Sequence, residues 1–354
     1  MPHKIDTDLN ESVVRQSYGG VSVNDRTVSF FERYDFTIEK TKKGRGAILA
    51  ESSKGPVALV EYSGCVEHLA LEEALLCMAQ ERFCGRLDGI IRTAEGELLS
   101  TDQDGKKYIV KKYVEGRECD VTDRQECQQA ARALAKLHLA LRGLILPDFL
   151  METYQADRLL EELERHTSEI VRTRNFMRKS PRRDEFELAF LAAYDRYMHQ
   201  AQQAGSFLDE DCLRTLAEKQ TAEKMFVHGD CTQHNVRFDG SGFTFVNFEK
   251  TGAHLQMKDV YLFMRKILEK NNWSFDLGMA MLSAYTGVLP LDNAELRYLY
   301  ARFLYPEKFW KIANGYLNRR KSLPARRLQE KLSVFEQKEE QRQIFLHKWL
   351  ETCQ

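Results

Sequence analysis

The sequence contains no run of about 18 consecutive apolar residues, so it predicts no membrane-spanning helix. Its first residues, MPHKIDTDLNES, lack the apolar stretch of a signal peptide, and we therefore expect a protein that is not secreted. The formal net charge is only −1, which argues against a general nucleic-acid or anionic-membrane binder. No internal repeat and no low-complexity linker is present in the 354 residues.

A CxxC pair is also missing among the eight cysteines. We therefore expect mostly reduced core thiols in a cytoplasmic protein, rather than a disulfide framework or a zinc site. Hydrophobic residues make up 43% of the chain and charged residues 30%, which is sufficient to bury a core in one large domain or in two lobes.

Residues 226–250 carry the strongest functional signal. An apolar pair is followed by His228-Gly229-Asp230, and Asn235 comes five residues after the aspartate. Phosphoryl transfer needs a carboxylate that accepts or orients the proton of the attacking hydroxyl, and an asparagine that helps to hold a magnesium ion. The order of residues therefore predicts Asp230 as a catalytic base and Asn235 as a metal ligand. The alternative is that both residues only brace a loop.

A hairpin follows the loop, with strands at 236–238 and 243–248 around an Asp-Gly-Ser-Gly turn. The second strand should end in a carboxylate that holds the metal against the phosphates. Asn247 stands there instead, and a neutral amide is a weaker ligand for a hard cation. Glu249 follows two residues later, which in an extended strand places it on the same side as Asn247. It is therefore an alternative metal ligand.

Three strand-like runs at 34–39, 47–51 and 57–62 have turn-rich connectors and predict an antiparallel meander. Gly44 and Gly46 in the first connector fit either a turn over nucleotide phosphates or an ordinary hairpin turn. In a kinase-type lobe, the third strand carries a lysine that pairs with the α- and β-phosphates. That strand reads VALVEY and has no lysine; Val60 or Glu61 occupies the position.

The remaining pattern is mainly helical. Helices are predicted at 66–83 and 124–142, the second with an apolar stripe beside which His138 is expected to be buried. Two long helices are predicted at 151–171 and 184–204, separated by the basic segment RTRNFMRKSPRRDE. That segment is read either as a solvated turn or as a docking surface for an anion.

The HGDxxxxN loop resembles that of the aminoglycoside phosphotransferase and choline kinase superfamily. The longer motifs VNFEK, KDVYLFMRKILEKNNW and YPEKFWKIANGYLNRRKS resemble the CotS-type spore-coat proteins of endospore-forming bacteria. The resemblance implies an α+β, protein kinase-like fold of two lobes. Residues 26–114 would form a small antiparallel-sheet N-lobe after an N-terminal arm at 1–25, and residues 115–354 a larger, mainly helical C-lobe.

The resemblance also implies ATP and magnesium as cofactors. Adenine would meet backbone groups near Tyr113, and the phosphates would lie near Gly44 and Gly46. His228 and Asp259 would hold the loop in place, which is a structural role. With the strand lysine and the metal aspartate both missing, affinity for Mg-ATP should be weak.

Two functions remain open. One is a pseudokinase that acts structurally in coat assembly, located in the mother-cell cytoplasm or in the coat, with other coat proteins as partners. The other is an active ATP-dependent phosphotransferase on a small-molecule hydroxyl or amine, with Asn235 and Glu249 binding the metal. A protein kinase is disfavoured, since only eleven residues lie between Asn247 and Asp259 and leave no activation segment.

Overall fold

The computed structural model describes residues 30–44, 46–147, 158–240, 242–318 and 325–353. They form two compact units. Unit 1 comprises the described residues up to Ser63 together with Ile91–Tyr113, and unit 2 comprises Gly64–Ile90 together with the described residues from Val114 onward. The N-terminal arm predicted at 1–25 lies outside the described residues.

In chain order, the described strands are β1 (Ile38–Lys43), β2 (Ala47–Ser52), β3 (Gly55–Tyr62), β4 (Arg86–Leu87), β5 (Ile90–Ile91), β6 (Ser100–Thr101), β7 (Lys107–Lys112), β8 (Arg117–Glu118), β9 (Phe226–Val227), β10 (Val236–Phe238), β11 (Phe243–Phe245) and β12 (Gly252–Ala253). Among the described strands, β1, β2, β3 and β7 have six to eight residues and the others have two or three.

The helices that lie wholly within the described residues belong to unit 2. In chain order they are α1 (Val66–Arg82), α2 (Arg124–Ala140), α3 (Leu159–Lys179), α4 (Glu185–Ser206), α5 (Glu210–Glu223), α6 (Met257–Leu268), α7 (Phe275–Thr286), α8 (Asn293–Leu304), α9 (Glu307–Leu317), α10 (Ala325–Gln337) and α11 (Glu339–Cys353).

The sheet of unit 1 has the order β1-β2-β3-β7-β5, and β6 also pairs with β7. β1, β2 and β3 form the expected antiparallel meander. The first strand begins at Ile38 and not at Tyr34 as the pattern indicates. The reason is that the Phe36 N–H bonds to the Tyr34 carbonyl at 2.8 Å in a tight bend, while Phe31 and Tyr34 enter the apolar core of this unit.

Unit 2 contains two further small sheets. One has the order β4-β11-β10-β8, in which β10 and β11 are the predicted hairpin and β4 runs parallel to β11. The other pairs β9 with β12, so that the chain before the His-Gly-Asp loop lies beside the chain after Asn247. These pairings bring segments that are distant in sequence together around the loop.

The helices of unit 2 follow from the periodicity and from their caps. The apolar stripe of α2 is buried as predicted, and Asp123 caps its first turn by accepting hydrogen bonds from two backbone N–H groups. Capping boxes begin α4, with Asp184 and Glu187, and α8, with Asp292 and Glu295. α3, α4, α9 and α10 share one apolar cluster, while α2, α6, α7 and α8 belong to the larger one.

A buried charge cluster joins α6, α8 and α9. Glu307 accepts a hydrogen bond from the Tyr261 hydroxyl at 2.9 Å and lies 3.7 Å from Arg265 and 3.6 Å from Arg302. Burial alone would raise the pKa of the Glu307 carboxyl, but Arg302 and Arg265 outweigh it and hold that pKa well below its usual range. The carboxylate is therefore ionised and fixes the start of α9.

Two predictions about unit 2 were wrong in part. The basic segment between the long helices is mostly helical, since α3 continues to Lys179 and ends just before Ser180-Pro181, where proline disfavours further helix. All eight cysteines are free, as expected, but only four of them are buried. Cys65, Cys77 and Cys84 are exposed on or beside α1.

None of the described helices is long and apolar enough to cross a membrane.

Gly278 of α7 lies against the ring of Phe345, since a Cβ at this position would be 2.7 Å from a ring carbon. Phe345 is fully buried among Trp273, Phe303 and Trp349, so the ring has little room to move. We expect Gly278→Ala to lower the free energy of unfolding by about 1–3 kcal/mol, measured by urea denaturation.

The matched control is Gly205→Ala in α4, where a Cβ would meet nothing within 4 Å. That change should leave the free energy of unfolding unchanged or raise it by up to about 1 kcal/mol, because alanine favours helix over glycine. Equal free energies of unfolding for the two variants would contradict the close packing at Gly278.

Candidate active-site loop

The loop at residues 228–230 is packed directly against the backbone of Lys250. Gly229 has a φ of +83°, and a Cβ there would lie 1.9 Å from the Lys250 carbonyl oxygen. Only glycine can occupy this position, because it tolerates the left-handed conformation and the close approach. The Thr251 hydroxyl donates a hydrogen bond to the Val227 carbonyl at 2.7 Å, which closes the same contact from the other side.

Asp259, at the start of α6, lies inside the protein and holds the loop through hydrogen bonds. Its fully buried carboxylate accepts hydrogen bonds from the backbone N–H groups of His228 at 2.6 Å and of Gly229 at 3.0 Å. A third donor is Nε2 of His138 at 3.3 Å, and the Tyr285 hydroxyl contacts Nδ1 of the same ring at 2.7 Å. Asp259 therefore links the loop backbone to α6, and its structural role stays a prediction.

The electrostatics of this buried group favour one pair of protonation states. Burial alone would raise the pKa of the Asp259 carboxyl, but the hydrogen bonds from the His138 side chain and the His228 N–H lower that pKa below its ordinary value. Burial lowers the pKa of His138, and Asp259 offsets this only in part. The carboxylate is therefore ionised and accepts three hydrogen bonds, while the imidazole of His138 is neutral.

The His228 ring makes two hydrogen bonds to the backbone. Nε2 donates to the Val246 carbonyl at 2.9 Å, and Nδ1 accepts from the Asp230 N–H at 3.2 Å. These two bonds require the neutral tautomer protonated on Nε2. Burial lowers the pKa of His228, which agrees with a neutral ring. The side chain thus links the Asp230 N–H to the Val246 carbonyl without carrying charge.

Asp230 is half-buried and lies beside Lys250, with Oδ2 2.9 Å from the lysine Nζ. The Asn235 side chain is buried, and its Nδ2 donates to the Asp230 carbonyl at 2.9 Å. This bond fixes the spacing of the two residues that the sequence predicts as base and metal ligand. It leaves the Asn235 Oδ1 pointing to a different partner.

That partner is Asn247, whose Nδ2 donates to the Asn235 Oδ1 at 2.8 Å. Asn247 has a φ of +68°, a left-handed conformation that asparagine and aspartate adopt more readily than other non-glycine residues. Its backbone N–H donates to Oδ2 of the buried Asp88 at 2.8 Å. The structure therefore brings Asp230, Asn235 and Asn247 into one chain of contacts.

The expected geometry of Glu249 was wrong. β11 ends at Phe245, and the Thr251 N–H bonds to the Phe248 carbonyl at 2.8 Å in a turn, so no extended strand connects Asn247 to Glu249. Side chains two positions apart share a face only in an extended strand. Glu249 is exposed, and its backbone carbonyl contacts Nε2 of His68 on α1 at 2.9 Å.

The donor set at this position does not fit a magnesium ion. Magnesium prefers carboxylate and water oxygens in octahedral geometry. Here two neutral amides bond to each other, and the adjacent carboxylate, Asp230, is paired with a lysine. Within the described ranges, no group of three or more His, Cys, Asp or Glu side chains could hold a metal ion.

The residues predicted to contact a nucleotide lie in unit 1. The Gly44 N–H bonds to the Ala47 carbonyl at 2.8 Å, and Gly46 has a φ of +71°, so both belong to the β1–β2 turn. Tyr113 follows β7, and its N–H bonds to the Pro56 carbonyl at 2.9 Å. Their contact with a nucleotide stays a prediction.

Three charged residues that the structure shows in or near buried contacts were not identified from the sequence. Asp88 and Lys250 contact the loop region through pairings that no local pattern reveals, although Lys250 stands in the VNFEK motif. The third is Lys111 on β7, which is 4% exposed and registers with Ala58 of β3. β3 has no lysine, but the adjacent strand β7 carries the buried Lys111. In the sequence, Lys111 was indicated only by the two lysines that end the run YIVKK.

The two units and the loop define a kinase-like fold of the aminoglycoside phosphotransferase type. An aminoglycoside phosphotransferase from Alicyclobacillus acidocaldarius subsp. acidocaldarius DSM 446 matches with a TM-score of 0.81 and 19% identity, over 95% of this chain and 98% of that one. Spectinomycin phosphotransferase, solved with ADP and spectinomycin, matches with a TM-score of 0.63 and 12% identity, over 90% and 95% of the two chains. At these identities the likeness establishes the fold alone.

The chain belongs to the family described as "Spore coat putative kinase YutH", whose model matches residues 29–349. Spore coat protein S of Bacillus subtilis (strain 168) is 23% identical over 289 residues, which cover 80% of each chain. Amicoumacin kinase in complex with AMP-PNP and Ca²⁺ matches with a TM-score of 0.54 and 14% identity, over 90% and 94% of the chains. The predicted α+β kinase-like fold and the CotS-type resemblance are confirmed.

The two fully buried histidines, His138 and His228, predict a pH dependence of stability. Their pKa values are lowered in the folded protein, so the unfolded chain binds protons first as the pH falls past about 6.5. The contribution of these histidines to the free energy of unfolding is fully present above that pH. Below it, the free energy of unfolding falls by about 1.4 kcal/mol per pH unit for each histidine. Urea unfolding between pH 7.5 and 5.5 measures the slope.

His228→Gln should reduce this slope by about the contribution of one proton. His347→Gln is the matched control, because His347 is 75% exposed on α11 and should leave the slope as in the wild type. A His228→Gln variant with the wild-type slope would show that the ring is not held neutral by burial.

Proposed function

We propose that this protein acts structurally in spore-coat assembly and that its catalytic-type loop no longer transfers phosphoryl groups from Mg-ATP. The observation that carries the proposal is the 2.8 Å hydrogen bond between the side chains of Asn247 and Asn235. It joins two neutral amides at the position where this chemistry needs a carboxylate that holds a metal against the phosphates. The protein is, in this proposal, a pseudokinase.

The charges of the loop support the proposal. A charge-assisted contact is worth about 1.5–3 kcal/mol, so replacing a carboxylate by an amide at the metal position weakens Mg-ATP binding substantially. A second charged contact is also missing, since Val60 or Glu61 stands on β3 where a kinase-type lobe has its lysine. Lys250 also holds Asp230 in an ion pair, which opposes its use as a base.

Two sets of buried polar contacts stabilise the fold of unit 2. Asp259 holds the loop through buried hydrogen bonds, and Glu307 fixes α9 through a buried charge cluster. Neither set of contacts requires a nucleotide. Membership in a spore-coat family and the similarity to Spore coat protein S support a location in the mother cell or the coat, with other coat proteins as partners.

An active phosphotransferase on a small-molecule hydroxyl or amine is the second candidate. The observation that favours it is the Asn235-to-Asp230 hydrogen bond, which keeps the loop ordered around a carboxylate that is 37% exposed. ATP would be the phosphoryl donor. This candidate requires a metal-binding arrangement different from the Asn247–Asn235 pair, and the following experiments separate it from the structural function.

The first experiment measures how magnesium changes the affinity for ATP, by calorimetry with and without the metal. In the wild type, magnesium should strengthen ATP binding less than about threefold, because the metal gains no carboxylate at Asn247. Asn247→Asp should restore a gain of about tenfold or more, since a charge-assisted contact returns. Asn272→Asp is the matched control, because Asn272 is exposed like Asn247 and also has a left-handed backbone, with a φ of +49°.

If magnesium raised the ATP affinity of the wild type tenfold or more, this result would favour the active phosphotransferase. A turnover of ATP that is lost in Asp230→Ala would do the same.

The second experiment tests the coat function in the sporulating host. A fluorescent fusion of the wild-type chain should locate to the forming coat, and Asp230→Asn should locate there equally, because the change removes the charge but preserves the side-chain shape. Asp259→Ala is the comparison, since loss of the loop's buried anchor should reduce the amount of folded protein at the coat. Loss of coat location in Asp230→Asn would show that the carboxylate is needed and would contradict a purely structural role.

A further inference from the structure

The last turns of α3 expose a large apolar side chain between basic ones. Phe176 is 60% exposed. Arg172 lies four positions before it and Lys179 three positions after it, and residues at these spacings share one face of a helix. Both basic side chains are exposed as well. The end of α3 therefore presents an aromatic ring with a positive charge on each side.

The ring of Phe176 is held in place from the protein side. Its centroid lies 6.1 Å from that of Tyr316 on α9, in an edge-to-face contact. The Tyr316 hydroxyl donates a hydrogen bond to the buried carboxylate of Glu187, and its ring packs against Phe186 at 5.6 Å. An anchor that is already ordered loses little conformational freedom when it binds.

A second apolar side chain adjoins this contact. Leu317, at the end of α9, is 37% exposed. It lies three positions after Asn314, whose side chain donates to Glu169 of α3 at 2.7 Å, so Leu317 is on the side of α9 that faces α3. We call this surface the Phe176 face, and it consists of Arg172, Phe176, Lys179, Tyr316 and Leu317.

The charge around the Phe176 face is positive when every acid is counted. Residues 165–187 contain seven basic and four acidic side chains, a net charge of +3 in a chain whose net charge is −1. On the neighbouring helices, residues 312–317 carry no charge and residues 325–331 carry +2. Charge is therefore segregated toward this end of the helices.

This positive charge is not neutralised by nearby carboxylates. Within the parts of the chain that the structure describes, none of the six basic side chains at 172–183 forms an ion pair. Arg183 instead donates to two backbone carbonyls at the end of α3, at 2.9 and 3.3 Å. The Arg174 guanidinium lies 4.6 Å from the centre of the Tyr194 ring.

We propose that the Phe176 face binds an acidic segment of a partner protein. An apolar side chain of that segment contacts Phe176 and Leu317, and its carboxylates pair with Arg172 and Lys179. Charge complementarity decides the occupant, since interfaces place positive surfaces opposite negative ones, and aromatic residues and arginine are enriched in them. The inference deepens the proposed function, on which it rests for coat proteins as the class of partner.

The test titrates the full chain against labelled 15-residue peptides, with fluorescence anisotropy as the readout. The first peptide has leucine at every third or fourth position and glutamate elsewhere, the second has serine for leucine, and the third has lysine for glutamate. The first should bind at least about tenfold more tightly than the other two, because only it offers both an apolar stripe and negative charge. Its affinity should fall as the salt concentration rises.

Phe176→Ser should weaken binding of the first peptide about tenfold or more, since it removes the aromatic anchor. Arg172→Glu combined with Lys179→Glu should weaken it further. The matched controls lie on α2, which belongs to the other apolar cluster: Leu139→Ser, where the leucine is 45% exposed, and Arg132→Glu combined with Lys136→Glu. Both controls should bind like the wild type, and circular dichroism checks that every variant is folded.

The proposal is overturned if the first peptide binds no more tightly than the other two, or if Phe176→Ser binds it like the wild type. Self-association of the wild type that Phe176→Ser abolishes in sedimentation would assign the face to a second copy of the chain and overturn it. Binding to phosphatidylglycerol vesicles in place of the first peptide would assign it to a membrane, with the same consequence.

In the sporulating host, the Phe176→Ser fusion should be depleted from the coat and the Leu139→Ser fusion should not. A wild-type fusion that is absent from the coat would contradict the structural function, while the peptide titration still decides the Phe176 face. Equal peptide affinities of the wild type and Phe176→Ser would overturn this inference and leave the coat location of the wild type unaffected. The two failures are therefore distinguishable.

Discussion

The buried carboxylate of Asp259 is the constraint on which the loop depends. An ionised carboxylate inside a protein is costly unless hydrogen-bond donors surround it, and here two loop N–H groups and His138 supply them. The loop backbone is therefore needed to satisfy the carboxylate as much as the carboxylate is needed to hold the loop. Gly229 makes this possible, because any side chain there would separate the loop from Lys250.

Sequence reasoning found the parts of the site that lie at fixed short spacings. His228, Asp230 and Asn235 share one loop, and Asp259 begins the next helix, so their order alone indicates their places. Asp88 could not be found this way, because it lies 159 positions before Asn247 and is brought to it by the parallel pairing of two short strands. The geometry of Glu249 was misjudged for a related reason: alternation along a strand cannot reveal where the strand stops, and β11 stops at Phe245.

The motifs that identify the family most specifically lie mainly in the helical part of unit 2. The motif beginning at Lys258 supplies Tyr261 and Arg265, and the motif beginning at Tyr305 supplies Glu307. α6 is thus held by polar contacts at both ends, by Asp259 at the loop and by Arg265 in the charge cluster. A buried cluster of this kind is sensitive to the loss of any member, which accounts for a long motif without invoking catalysis.

The left-handed backbone at Asn247 has a consequence for how this lineage could change. Few side chains accept a φ of +68°, and asparagine and aspartate are two that do. An exchange between them alters the charge beside Asn235 while the backbone bond to Asp88 persists. The charge at this residue is therefore separable from the backbone conformation, so one substitution in a descendant changes the charge of the loop region without refolding the loop.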